Sequence, residues 1–176
     1  MLSMLEMALD DNSFMGDWYF DRETDDVTFI TTDDYLEEEE EIKRLVEEDE
    51  GGERFIYISP IPSSGSWQIM KEFILEQDDL DDTVQSLLLR AIQGSGAFRR
   101  FNDAIDDVGI RDRWYAYKNM EDRKRALQWL KDHELISDDG VAAGIKMLED
   151  NIARRNRIED DRGKIVWLPK SHFELV

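Results

Sequence analysis

The sequence predicts an α+β fold: a small antiparallel sheet, built from an N-terminal hairpin and a central strand, packed against several amphipathic helices. Three observations carry this. Two short runs rich in aromatic and β-branched residues, Trp18-Tyr19-Phe20 and Val27-Thr28-Phe29-Ile30, flank the polar turn Asp21 to Asp26. A third such run, Arg54-Phe55-Ile56-Tyr57-Ile58-Ser59, follows a double glycine. Beyond Ser66, apolar residues recur at helical spacing through most of the remaining chain.

In chain order, Leu2, Leu5, Met7 and Ala8 predict a short helix ending near Asp10 to Ser13, and the hairpin follows it. Thr31-Thr32-Asp33-Asp34 supplies helix-capping oxygens ahead of a long acidic helix. There Tyr35, Ile42, Leu45, Val46 and Asp49 fall on one stripe, leaving Glu37 to Glu41 in water. After the central strand, Pro60, Pro62 and Ser63 to Ser66 form a loop with a capping serine at its end. Trp67, Met70, Phe73 and Ile74 then make a bulky helical face expected to sit on the sheet. Leu80, Val84, Leu87, Leu88, Ala91 and Ile92 predict the next helix, halted by Gly94. Phe98, Phe101, Ile105 and Val108 predict another, ended at Gly109. Ala126, Leu127, Trp129 and Leu130 predict a further helix with Glu121 and Asp122 in its first turn. Val141, Ile145, Leu148 and Ile152 continue the pattern, and Ile165 to Pro169 reads as a possible edge strand.

A chain of 176 residues fits one domain, or one domain with an appendage, and residues 1–135 and 136–176 are the expected division. Five Trp, five Tyr and eight Phe suffice for a core despite 36% charged residues. No apolar run approaches the roughly 20 residues that span a bilayer, and there is no cysteine for disulfide or thiolate chemistry. The expected location is the cytoplasm, away from membranes. The net charge of −20 is uneven: residues 1–50 hold 19 acids against 3 bases, whereas residues 94–176 balance 16 against 16. The N-terminal part repels nucleic acid and acidic membranes at long range; the acids read first as a solvated, solubility-giving surface, and a protein partner, if they take one, is expected to be basic.

The most distinctive stretch is Gly94-Ser95-Gly96-Ala97-Phe98-Arg99-Arg100-Phe101. Glycines entering a helix leave backbone N–H groups unpaired, and two guanidiniums beside them suit a phosphate or carboxylate. No Gly-Lys-Ser/Thr follows, and no third glycine completes a dinucleotide fingerprint. The competing reading is architectural, with Arg99 reaching Asp103, and Arg100 reaching Asp103 or Asp107, on the same helix. Arg111, Arg113 and Trp114 interleave charge with aromatics in a way that can stack on bases. The overall charge opposes this, and Trp114 and Tyr117 are expected in the core. The candidate ligand-binding set is therefore Gly94, Ser95, Gly96, Arg99, Arg100, Arg111, Arg113 and Trp114. His133 and His172 are the only imidazoles and have no ligand-spaced partners, so no zinc site is expected; among the 42 acids no pair stands out for acid–base work, and no cofactor or catalytic residue is assigned.

Several of these pieces, in this order, resemble the uncharacterised protein family UPF0158, found in bacteria and also in plants. The similarity lies in Trp18 to Thr24 with Val27, and in Arg54 to Ile58 with Pro62, Met70, Phe73 and Ile74. Its most specific part is Ala91-Ile92, Gly94 to Phe101, Asp103 and Trp114-Tyr115. The resemblance covers about residues 1–135. This chain departs from the family pattern at Asp25, where the family more often has glycine, so a different hairpin turn is expected. Ser95 and Asn102 stand where the family more often has a basic residue. The resemblance implies no established activity. The expected function is a non-catalytic binding or interaction protein with an anion contact at the Gly94–Arg100 turn. The alternatives are an acidic nucleic-acid mimic or adaptor for a basic protein, and a small hydrolase-like enzyme using carboxylates and arginines.

Overall fold

The computed structural model describes residues 1–13, 15–31, 40–78, 80–155, 157–159 and 165–167, with side chains described through residue 150. It divides into two compact units, Met1–Pro62 and Ser63–Val176.

The first unit contains α1 (Leu2–Asp10), β1 (Gly16–Asp21), β2 (Asp26–Thr31), α2 (Glu40–Glu48) and β3 (Phe55–Tyr57). The strands form one antiparallel sheet in the order β2-β1-β3. Trp18 stands opposite Phe29, and Phe20 stands between Val27 and Ile56. Side chains alternate across a strand, so Trp18 and Phe20 are buried together with Val27. Leu5, Ala8 and Leu9 of α1 are buried in the same unit. Polar contacts tie the start of the unit to its sheet and its end. The Trp18 indole donates to Asp11 at 2.8 Å, and Ile61 N donates to Leu9 O at 2.7 Å.

β3 is shorter than its sequence pattern, yet the ladder continues at both ends. Arg22 N donates to Arg54 O at 3.0 Å and Ile58 N to Trp18 O at 2.8 Å. Thr32 to Asp34, Tyr35 and Glu37 to Glu39 lie outside the described residues. Thr31 ends β2, and Glu40 and Glu41 open α2 in water. Ile42, Leu45 and Val46 of α2 are only half-buried. Asp49, expected on that stripe, instead follows the helix and accepts from the amides of Glu53, Arg54 and Phe55.

The second unit contains α3 (Ser63–Leu75), α4 (Asp82–Ala91), α5 (Ala97–Asp107), α6 (Arg111–Asp132), α7 (Asp138–Arg155), β4 (Arg157–Glu159) and β5 (Ile165–Trp167). The bulky face of α3, expected to meet a sheet, has helical neighbours. Ile69, Met70, Phe73 and Ile74 pack with Leu88, Ala91, Ile92, Phe101, Ala104, Ile105, Ile110 and Trp114. Phe73 is the hub, with ring centroids 5.3 Å from Trp114, 5.4 Å from Tyr117 and 6.4 Å from Phe101. Such tilted and edge-on ring pairs add about 0.5–1.5 kcal/mol each beyond the area they bury.

Three expectations change here. Phe98 is 43% exposed and Leu87 46% exposed. On α5 the inward residues are Ala97, Phe101, Ala104 and Ile105, and Phe98 falls about 100° from Ala97 around the axis, at the edge of that face. The expected helix around Trp129 is the second half of a single helix, α6, that begins at Arg111. No Gly or Pro interrupts residues 111–132. Glu121 and Asp122 therefore lie in mid-helix, half-buried, and pair with Lys124 and Lys118, both at 2.7 Å. Finally, β5 pairs antiparallel with β4 in a separate two-stranded ladder. Close packing joins α7 to α6: a Cβ on Gly144 would stand 2.9 Å from both methyls of Leu127.

Candidate functional site

Helix α4 begins at Asp81, whose carboxylate accepts from Thr83 N and Val84 N, both at 2.9 Å. It ends at Ile92, whose carbonyl receives the Trp67 indole N–H at 2.7 Å. The chain then turns back through Gly94 (φ +67°) and Gly96 (φ +77°) to start α5. Both glycines hold left-handed backbone that costs an L-residue about 1–2 kcal/mol. Gly96 has a second constraint, because a Cβ there would meet Arg100 Nη1 at 3.1 Å.

Arg100 closes this turn. Its Nε donates to Ala91 O at 3.2 Å, Nη1 to Ser95 O at 2.5 Å, and Nη2 to Gln93 O. The carbonyls at a helix C-terminus have no intrahelical partners and carry partial negative charge. A guanidinium with several donors in a fixed fork satisfies them together. The expected pairing of Arg100 with Asp103 or Asp107 is replaced by this backward reach to carbonyls. The physical reason is the left-handed pair of glycines, which folds the α4 terminus to within reach of the first turn of α5.

Arg99 is different. It is exposed, as is Asp103, and the two form no ion pair among the described residues. No side chain caps the α5 N-terminus at Gly96. Gly94, Ser95 and Gly96 are exposed as well. Of the remaining candidates, Arg111 pairs with Asp106, and its guanidinium lies 5.5 Å from the Tyr115 ring centre. Arg113 donates to Gln77. Trp114 is 5% exposed and packs edge-on against Phe101 with centroids 4.9 Å apart. The turn thus gathers Gly94, Ser95, Gly96 and Arg100 around one another, while Trp114 belongs to the core and Arg111 and Arg113 have other partners. Tyr117 lies half-buried beside that core; burial, with the charges of Glu76, Glu121 and Glu72, pushes its hydroxyl pKa well up.

The first unit holds a polar network that sequence reasoning missed. Asp21 is 3% exposed and takes two hydrogen bonds from Arg54, Nε to Oδ1 at 3.0 Å and Nη2 to Oδ2 at 2.8 Å. Arg54 also pairs with Glu23 at 2.6 Å. The Arg54 hydrogen bonds hold the Asp21 carboxyl below the usual carboxylate range. Asp49 is lowered too, first by the Phe55 amide. The signal for this pairing was the register: Asp21 stands opposite Phe55, next to Arg54. Pairing register follows only from knowing which strands are neighbours.

A groove of about 330 Å³ lies beside the sheet in this unit, lined by residues that include Asp17, Tyr19, Ile30, Lys43, Val46 and Glu47. Burial is the main cause that raises the Tyr19 pKa, with Asp17 adding to it. Among the described residues no group of three or more His, Asp or Glu is placed to hold a metal ion. His133 is stacked on Trp129 with ring centres 4.0 Å apart, and His172 lies outside the described residues. No described helix is long and apolar enough to cross a membrane.

Comparison with known proteins agrees with the family resemblance. The UPF0158 protein PA5073 of Pseudomonas aeruginosa is 27% identical over 84 residues, covering 47% of this chain and 54% of that protein. The chain therefore spans about half the length of this curated relative. No solved structure matches. The family model described as an uncharacterised protein family, UPF0158, matches residues 1–149, which takes in both glycines of the turn, Arg100 and α7 as far as Glu149. By that match, the chain belongs to the family UPF0158.

Proposed function

We propose that the protein is a non-catalytic binding protein whose acidic first unit takes a basic partner. The observation that carries this reading is the segregation of charge. Residues 1–62 hold 20 acids against 4 bases, a net of −16 out of −20 for the whole chain. Asp10, Asp17, Glu23, Asp26, Glu47 and Glu48 are all exposed. One of the four bases, Arg54, is held by Asp21 and Glu23. A surface with so lopsided a charge attracts cations over about a Debye length and raises association rates with basic surfaces. The test is titration of a lysine-rich peptide into the full chain, followed by amide NMR spectra at low and at high salt. Shifts confined to residues 1–62 that vanish at high salt are expected. Unchanged spectra at low salt overturn the reading.

A second reading places an anion at the Gly94–Arg100 turn. Its support is the exposed Arg99 guanidinium beside a helix N-terminus with no side-chain cap. Arg100, already bonded to three carbonyls, would frame such a site without contacting the ligand. Phosphate titration that leaves the amides of Gly94 to Arg100 unmoved ends this reading.

A further inference from the structure

We propose that the exposed methionine edge of α1 is the seat of the partner, and that the segment seated there is a basic amphipathic helix. This rests on the basic-partner reading above and adds where the partner binds and what shape it has. Helix α1 is held down by Leu5 and Ala8, both 0% exposed, and Leu9, 5% exposed. Met1, Met4 and Met7 nevertheless stand 48%, 38% and 49% exposed. They recur at i, i+3 and i+6, which are neighbours on a helix surface. At about 100° per residue Met4 and Met7 occupy the arc beside the buried one, Met1 stands at the N-cap in line with the buried arc, and Glu6 and Asp10 fall on the other shoulder.

Folding of the unit does not require this. An α1 already buried on one face would be served by polar residues on the rest of its surface. Clustered apolar residues rimmed by charge mark a contact surface. Methionine is unbranched and polarisable, so a stripe of it adapts to the irregular side chains of an incoming helix. A nine-residue helix about 13 Å long offers anchor sites at the spacing that an amphipathic helix presents.

Charge selects among the possible occupants. A second copy of this chain would bring its own net −16 against the same surface, and an anionic membrane would be repelled in the same way. A helix carrying lysines or arginines beside its apolar stripe complements both the apolar methionines and the negative charge of this unit.

The experiment uses the full chain with methyl-labelled methionine. Three probes are compared at low salt: an amphipathic helix of leucine and lysine, a scrambled peptide of the same composition, and oligolysine. The expected result is that the methyl signals of Met4 and Met7 move with the amphipathic peptide, while those of Met70 and Met147 stay. The scrambled peptide should bind about tenfold more weakly, and a Met4→Gln/Met7→Gln variant should lose about tenfold in affinity for the amphipathic peptide alone. A Met4→Leu/Met7→Leu variant should keep its affinity, which separates loss of the apolar edge from loss of fold. If all three probes bind equally and the Met4 and Met7 methyls stay, the α1 seat is wrong and the basic-partner reading stands. If none of the probes binds, that reading falls and this inference falls with it. Movement of the same methyls on adding anionic lipid vesicles, with no response to the peptides, also overturns it.

Discussion

Arg100 and Arg99 are adjacent in sequence and opposite in circumstance. Arg100 donates to Ala91 O, Gln93 O and Ser95 O; Arg99 is exposed with no ion pair to Asp103. Hydrogen bonds from a charged donor contribute roughly 1.5–3 kcal/mol, and carbonyls left unpaired add to the loss. Arg100→Ala should therefore destabilise the protein by about 2–3 kcal/mol in urea melts, whereas Arg99→Ala should stay within about 0.5 kcal/mol. Equal effects would remove the closing role given to Arg100. Asp25 makes a second residue-level case. It sits at φ +52°, the last position of the four-residue hairpin loop. Asp25→Gly should stabilise the protein by about 0.5–1 kcal/mol through relief of left-handed strain, read as a higher urea midpoint with an unchanged slope. The glycines and arginines were legible in the sequence as a special turn. Their partners were not, because side-chain reach depends on how α4 and α5 are angled at Gly94 and Gly96.

Among the elements, the hairpin depends on one glycine that carries no positive φ. A Cβ on Gly16 would lie 2.2 Å from Ile30 O and 2.9 Å from Ile30 C, both backbone atoms of the paired strand. Backbone cannot step aside as a side-chain tip can. Gly16→Ala should cost about 2–4 kcal/mol and lower the Trp18 near-ultraviolet signal before the far-ultraviolet one. The sheet also has an acid dependence. Because the Arg54 hydrogen bonds depress the Asp21 pKa in the folded state, their stabilisation is complete above the unfolded carboxylate pKa of about 3.9. It is lost as pH falls through the lower, folded value. Melting temperatures measured downward from about pH 5 should fall more steeply for the native chain than for Arg54→Met, in which Asp21 loses that partner. Parallel acid limbs would contradict the assignment. Most elements were legible from periodicity, since α1, the hairpin strands and α3 to α5 each show their period in local residues. The long α6 was not: its apolar residues cluster in two patches, Trp114 with Tyr117 and Ala126 to Leu130, separated by the charged run Glu121 to Arg125. Helical continuity through a polar stretch leaves no local apolar signal.

For the molecule as a whole, the dominant quantity is charge. A net of −20 weighted onto residues 1–62 works against their compaction through self-repulsion, which added salt screens. The melting temperature should rise from low to physiological salt, with the Trp18 signal of the first unit responding more than that of Trp114 in the second. A melting temperature indifferent to salt would mean that the acids are already neutralised by local pairs. The same salt should weaken binding of a basic peptide, so stability and affinity are expected to move in opposite directions.

Composition, period and turn chemistry are local properties, and by themselves they determined the α+β class, the hairpin, the order of the helices, the charge asymmetry and the Gly94–Arg100 turn as a signature. Tertiary structure decided the rest. It set Arg100 on carbonyls instead of Asp103 or Asp107, buried Asp21 against Arg54, turned Phe98 outward, and left Met1, Met4 and Met7 in water beside a buried face. Each of these depends on which distant segment occupies the space next to a side chain. Burial and hydrogen-bond partnership are relations between segments, and a linear pattern specifies only one side of each.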